Sequence, residues 1–404
     1  MDAAPIPPFP DQAAGQPSGH PRVALVLQGG GALGAYQVGV YQALHEAGLE
    51  PDWLAGVSIG AINGAIIAGN PPEKRLERLT QFWDRVCSRS VLGFMPGDFL
   101  PWSMLPGGDT LRRLHSMQSS VMSIMFGQPG FFSPALPEPF ALLGGLTGMT
   151  SVYNSAPLRD TLLELVDFGR LNNGDIRYAC GAVNVETGNF AYFDNARITI
   201  GPEHVMASGA LPPSLPAVQI GEEAFWDGGI VSNTPLQHLL HHNRQDDMLV
   251  FQVDLFSARG PRPLSMLDVL SRHKDIQYSS RTRLVTDYHT RLQRVRVQLK
   301  RLLDRMDDAD LDAEQRLLKH ELATLPRISL LQLVYQQSAW ENESRDYDFS
   351  LASMRHHRDA GGRDTRATLQ RRDWLVLPEG EASIVTHDIH RPDDSEPVGQ
   401  SVSG

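Results

Sequence analysis

Cysteine is almost absent from this sequence. Cys87 and Cys180 are the only two, far apart and in no metal-ligand spacing. That excludes a disulfide framework and suits a reducing compartment better than secretion. No signal peptide is expected either: Met1-Asp-Ala-Ala-Pro5 leads into a stretch rich in Pro, Gly and Gln, without a basic start followed by an apolar run. The best candidates for a membrane span, 53–70 and 139–158, are thick with glycine and carry Ser58, Asn63 and Asn154, so they read as buried or looped protein. A basic excess is lacking too. With 36 Lys and Arg against 47 Asp and Glu, the net charge of −11 argues against a nucleic-acid binder. These absences describe a cytoplasmic protein with no nucleic-acid partner, with peripheral contact to a membrane or lipid surface left open.

What is present is ordinary globular composition over 404 residues, enough for a large core. Residues 1–20 form a Pro-rich lead-in and 391–404 a tail, both expected to be disordered. Between them the chain alternates strand and helix signals. Val23-Ala-Leu-Val-Leu27 is a continuous apolar run of the kind that suits a central parallel strand. A glycine turn follows, then a helix over 35–47, a strand at Trp53-Leu-Ala-Gly56 and a helix of small residues over 59–68. Further strands are expected at 176–185, 190–193, 217–220 and 248–253. This rhythm predicts an α/β fold with a mostly parallel sheet.

Two stretches break the rhythm. Segment 91–152, rich in Gly, Pro, Met and Phe, reads as an irregular packed loop or as a lid over an apolar entrance, with a lean to the lid. The region 256–380 reads as helical. Within it Leu284, Tyr288, Leu292, Val295, Leu299, Leu302 and Met306 recur every three or four residues amid Arg and Lys. That basic amphipathic helix is expected to pack on the sheet with a solvated charged face, in preference to lying on a membrane.

Chemistry concentrates in three motifs. Gly56-Val-Ser-Ile-Gly60 sits where a strand ends and a helix begins, the context in which glycines let a sharp turn lift a nucleophilic serine, Ser58, clear of the sheet. Gly29-Gly-Gly-Ala-Leu-Gly34 also joins a strand to a helix. Gly29, Gly31 and Gly34 satisfy the dinucleotide fingerprint, but the second strand ends in Gly56-Val-Ser58 and not in an acidic residue. Backbone N–H groups offered to an oxyanion explain the turn better. Trp226-Asp-Gly-Gly-Ile-Val-Ser-Asn-Thr-Pro235 places Asp227 at a tight loop, where an isolated aspartate more often bonds its own backbone.

Together with Ala207-Ser-Gly-Ala-Leu-Pro-Pro-Ser-Leu-Pro216, these blocks resemble the patatin-like phospholipase family, in the family's order, over about residues 22–253. The resemblance implies a three-layer α/β/α sandwich and a Ser–Asp dyad without histidine. It makes Ser58 the nucleophile, Asp227 the general base and Gly29, Gly30 and Gly31 the oxyanion loop. Gly34, Gly56, Gly60, Gly228, Gly229 and Asn233 support the motifs. It implies a catalytic unit over 21–255, a lipid or other ester as substrate, and neither metal nor cofactor. Departures are Leu33 where the family often has Lys or Arg, Gln28 where it often has Asp, and Leu215 where it often has Phe. Tyr347-Asp-Phe-Ser-Leu-Ala-Ser-Met354 is similar to the tail of a bacterial subgroup with an extended C-terminal region. The rival readings are a Ser–His–Asp esterase using His204, His238, His241 or His242, and a nucleotide- or lipid-binding module without turnover.

Overall fold

The computed structural model describes residues 21–87, 108–135, 150–243, 246–323, 325–338, 340–341, 344–378 and 384–390. The expected lead-in and tail, and residues 91–107 and 136–149 of the expected lid, lie outside them. Eleven strands are described: β1 (Arg22–Leu27), β2 (Trp53–Val57), β3 (Ser133–Pro134), β4 (Tyr153–Asn154), β5 (Arg177–Asn184), β6 (Phe190–Asp194), β7 (Val218–Ile220), β8 (Glu223–Asp227), β9 (Met248–Asp254), β10 (Ile328–Val334) and β11 (Ile384–Asp388). Nine of them form one sheet in the order β11-β10-β9-β1-β2-β5-β8-β7, with β6 paired to β5 beside it. The run from β11 to β5 is parallel, and β6, β7 and β8 are antiparallel to their neighbours.

The layering follows from the alternation of side chains along β1. Val23, Leu25 and Leu27 enter a core shared with helices α1 (Ala35–Glu46), α2 (Ile59–Ala68) and α3 (Pro72–Cys87). Ala24 and Val26 point the other way, into a second core. In the part of the chain between α3 and β9 the helices are α4 (Gly108–Phe126), α5 (Ala156–Leu165), α6 (Phe168–Asn173), α7 (Pro202–Ser208) and α8 (Leu236–His242), and α8 brings Leu236, Leu239 and Leu240 to that second core. A strand apolar on both faces must be covered on both, and the result is an α/β/α sandwich. Within segment 91–152 the described elements are α4 and β3, and β3 pairs antiparallel with β4 just beyond the segment.

After residue 255 come α9 (Met266–Tyr278), α10 (Thr282–Leu303), α11 (Ala313–Glu321) and α12 (Leu351–Gln370). This region is helical, yet it also extends the sheet: β10 pairs in parallel with β9, and β11 with β10. Ile328-Ser-Leu-Leu-Gln-Leu-Val334 is a short apolar run of the same kind as β1, hidden in the sequence by the helices around it. α12 lies directly on α1. A Cβ on Gly39 would fall 1.8 Å from the Arg358 carbonyl oxygen, and one on Gly361 2.1 Å from that of Tyr36. Only glycine lets the two backbones meet so closely.

Candidate active site

The parallel pair β2–β5 sets Val57 beside Gly181, and the antiparallel pair β5–β8 sets Ala182 beside Asp227. The residue after Val57 therefore emerges next to the end of β8. That residue is Ser58, with φ of 55°, the only non-glycine at positive φ among the described residues. Such a conformation persists only where its surroundings enforce it. Here the Ser58 N–H donates to the Ser208 hydroxyl at 3.0 Å and its carbonyl at 3.1 Å, and that hydroxyl donates to the Gly181 carbonyl at 2.6 Å. Gly56 and Gly60 let the turn close: a Cβ on Gly56 would fall 2.4 Å from the Gly60 oxygen, and one on Gly60 2.3 Å from the Leu27 oxygen. α2 begins at Ile59, so its positive end points at Ser58.

Asp227 is 2% exposed and lines the same cleft as Ser58, whose side chain favours the charged form of its carboxylate. The Gly229 N–H donates to the same carboxylate at 2.7 Å. Burial disfavours the charged form and pushes the Asp227 pKa up to about 7, while the bonds from Ser58 and Gly229 pull it partly back. Gly228 allows this approach, since a Cβ there would fall 2.5 Å from the Gly181 oxygen.

Gly29, Gly30 and Gly31 face Ser58 from the neighbouring turn, and all line one cleft of about 200 Å³ with Asp227, Gly229 and Asn233. Asn233 steadies the loop by donating to the carbonyls of Gly29 at 3.0 Å and Tyr278 at 3.1 Å. The Gly29 N–H is itself occupied, donating to the Asn233 carbonyl at 3.3 Å. Gly31, at φ +54°, sits under the Asp346 carbonyl, 2.3 Å from where a Cβ would be. Gly34 lies outside the cleft and packs the turn against Ile59 of α2.

Other residues complete the site. Gln28 accepts from the N–H groups of Leu255 and Phe256 and donates to Thr234 and the Tyr278 carbonyl, tying the glycine loop to the chain after β9. Lys274 and Tyr278 of α9, and Asp346, Tyr347 and Phe349, complete the cleft from the C-terminal region. Lys274 pairs with Asp346 at 2.6 Å. Phe131, Phe132, Tyr153 and Leu215 add an apolar wall. The histidines go elsewhere: among the described residues lining the cleft none is histidine. His238 pairs with buried Asp194 at 3.1 Å, His242 bonds the His238 carbonyl, and His204 accepts from the Gly201 N–H. Among the described residues no three His, Cys, Asp or Glu cluster as a metal site.

The model of patatin-like phospholipases matches residues 25–240, more than half of the chain. The chain belongs to the patatin-like phospholipase family. A second model, described as patatin phospholipase, matches 276–381, the helical region that completes the cleft. Among curated relatives, a lysophospholipase nte1 of Aspergillus terreus is 61% identical over 46 residues, 11% of this chain and 3% of its own length. Human patatin-like phospholipase domain-containing protein 6 is 33% identical over 93 residues, 23% of this chain and 7% of its own. These matches thus span less than a tenth of the relatives' length. Among solved structures, VipD from Legionella pneumophila aligns over 88% of this chain and 67% of its own at 15% identity and TM-score 0.39. Human GIVD cytosolic phospholipase A2 aligns over 88% and 60% at 11% identity and TM-score 0.34.

Proposed function

We propose that this chain hydrolyses carboxylic esters of lipids through Ser58 and Asp227, by way of an acyl-serine. The observation that carries the reading is a positive-φ serine sharing one cleft with a buried carboxylate of raised pKa and a glycine loop. Asp227 takes the Ser58 proton as the oxygen attacks the ester carbonyl. A base that titrates near neutrality can both accept that proton and return it to the leaving alcohol. Water then enters and Asp227 repeats its part, releasing the fatty acid. Gly30 and Gly31 are the proposed oxyanion donors. Gly29 contributes clearance instead, because its N–H is engaged by Asn233 and a Cβ there would press on Ser58. One such donor is worth about 3–4 kcal/mol. The aromatic wall of Phe131, Phe132 and Phe349 would hold the acyl chain.

The functional unit in this reading is 21–255 completed by 256–380, since α9 and the Arg345–Tyr347 turn supply part of the cleft. A reducing, cytoplasmic setting fits the two buried cysteines, Cys87 and Cys180. The test is hydrolysis of a panel of phospholipids, lysophospholipids, acylglycerols and hydroxyacid oligoesters, with products identified by mass. Wild type should release fatty or hydroxy acid from at least one class, and Ser58→Ala should release none. Equal release by both would refute the assignment.

A further inference from the structure

Three helices around the cleft are turned the opposite way from ordinary surface helices. In α4 the buried positions are Ser116, Ser120 and Ser123, while Leu114, Met117, Val121 and Met125 face solvent. In α9 Ser271 and Asp275 are buried, and Met266, at 75% exposure, stands out with Val269, Leu270 and Ile276. In α10 the inward residues are Thr282, Thr286, His289 and Gln293, with Leu303 buried only at its C-terminal end. Most of the stripe expected to pack on the sheet is instead outside, with Leu284 at 67% and Val295 at 63% exposure, joined by Tyr288 and Leu302, while Leu299 packs beside Leu303. A polar face turned in and an apolar face turned out is unfavourable for a helix meeting only water.

Part of the buried polar face has partners that fix this orientation. Ser120 donates to the Ser344 carbonyl at 3.1 Å, and Arg345 binds Ser271 at 3.0 Å and pairs with Asp275. α4 and α9 thus grip opposite sides of the Arg345–Tyr347 turn, whose Asp346 and Tyr347 line the cleft. Arg113 of α4 and Asp268 of α9 also interact electrostatically. α10 starts at Thr282, soon after Tyr278, which is a cleft residue.

Charge singles out the partner. Residues 262–305 hold eleven Lys and Arg against four Asp, net +7 within a chain of net −11. On α10, Arg283, Arg291 and Arg294 are exposed along one flank of the apolar stripe. Leu, Met and Val beside a row of arginines is the pattern of a helix lying in a lipid interface, its cations on the headgroups. No described helix is long and apolar enough to cross a membrane.

We propose that the outer faces of α4, α9 and α10 dock the protein on an anionic lipid surface, so that a lipid ester can pass from that surface into the Ser58 cleft. The inference rests on the reading of the chain as a lipid acyl hydrolase. Flotation of the full chain with vesicles of phosphatidylcholine, with and without phosphatidylglycerol, tests it. Two double variants probe the apolar and the cationic parts: Leu284→Asp with Val295→Asp, and Arg291→Glu with Arg294→Glu. Wild type should float with the anionic vesicles and less with the neutral ones. Each double variant should lose vesicle binding, and release of fatty acid from vesicle lipid, by about tenfold or more. Both should turn over a soluble monomeric nitrophenyl ester within about twofold of wild type, which also reports intact folding. Ser58→Ala should float like wild type.

Wild type that stays with neither vesicle, or double variants that float undiminished, would overturn the docking face. So would sedimentation showing that wild type self-associates and the variants do not, because the face would then join two copies. Loss of the soluble-ester reaction in wild type would count against the hydrolase reading alone, leaving the flotation result to stand by itself.

Discussion

Replacing Asp227 by Asn should stabilise the fold while it removes turnover. The carboxyl is almost fully buried and its pKa is pushed from an ordinary 3.8 up to about 7. The folded state therefore holds this proton more tightly than the unfolded chain does. That preference is fully present below about pH 4 and is lost as pH rises towards about 7, because the unfolded chain ionises first. At one pH unit per ~1.36 kcal/mol, keeping the carboxylate buried costs about 4 kcal/mol above neutrality. Near pH 5, where the folded carboxyl is still protonated, the cost is only about 1–2 kcal/mol. Asparagine has no such dependence, and its amide oxygen can still accept from the Gly229 N–H. Urea unfolding of both proteins at pH 5 and pH 9 measures the difference directly. The gap should move in favour of Asp227→Asn by roughly 2–3 kcal/mol on going to pH 9, as the other titrations cancel between the two proteins. Ester turnover should fall by about 10²–10⁴. A stability difference that does not change with pH would refute the placement of this carboxyl as a buried, late-titrating base.

Other outcomes follow from the same geometry. In wild type, kcat/KM for a neutral ester should rise with pH and level off above about 7, since the ionised Asp227 is the working form; a profile flat from pH 5 to 9 would contradict it. Gly31→Ala should cut turnover at least tenfold without unfolding the protein, because a Cβ there meets both a positive φ and the Asp346 carbonyl; turnover and circular dichroism together decide this. Ser208→Ala removes the hydroxyl that accepts from the Ser58 N–H and should cost about 1–2 kcal/mol in denaturant melts, with a lower kcat. Gly361→Ala, remote from the cleft, should destabilise by about 1–3 kcal/mol by forcing α12 off α1, with little change in KM for whatever remains folded.

The fold was legible where burial leaves a mark on the chain. Val23 to Leu27 and Met248 to Val253 are apolar on both faces because helices cover both, and they appear as strands where expected. β8 was not, because Glu223-Ala-Phe-Trp-Asp227 is a short edge-side strand whose apolar residues are too few to set a period. Motif glycines made the site visible as well: Gly56 and Gly60 have to be glycine for the Ser58 turn to close, so the backbone requirement is written in the residue type. No comparable requirement marks Lys274, Tyr278 or Asp346. They reach the cleft only through the packing of a distant region, and a lysine or tyrosine fits many surfaces. The orientation of α10 was misjudged for a related reason. Its periodicity fixes an apolar stripe, but which face turns inward depends on what lies beneath. There the helix buries Thr282, whose hydroxyl accepts from Gln252 of β9, and turns Leu284, Tyr288 and Val295 outward.

The most direct measurement of the central claim is covalent labelling with a fluorophosphonate, followed by mass mapping of the modified peptide, on wild type and Asp227→Asn. A serine activated by Asp227 should appear as a single adduct at Ser58 in wild type, formed at least about a hundredfold more slowly in the variant. An adduct on another residue, no adduct, or equal rates in both proteins would contradict the account.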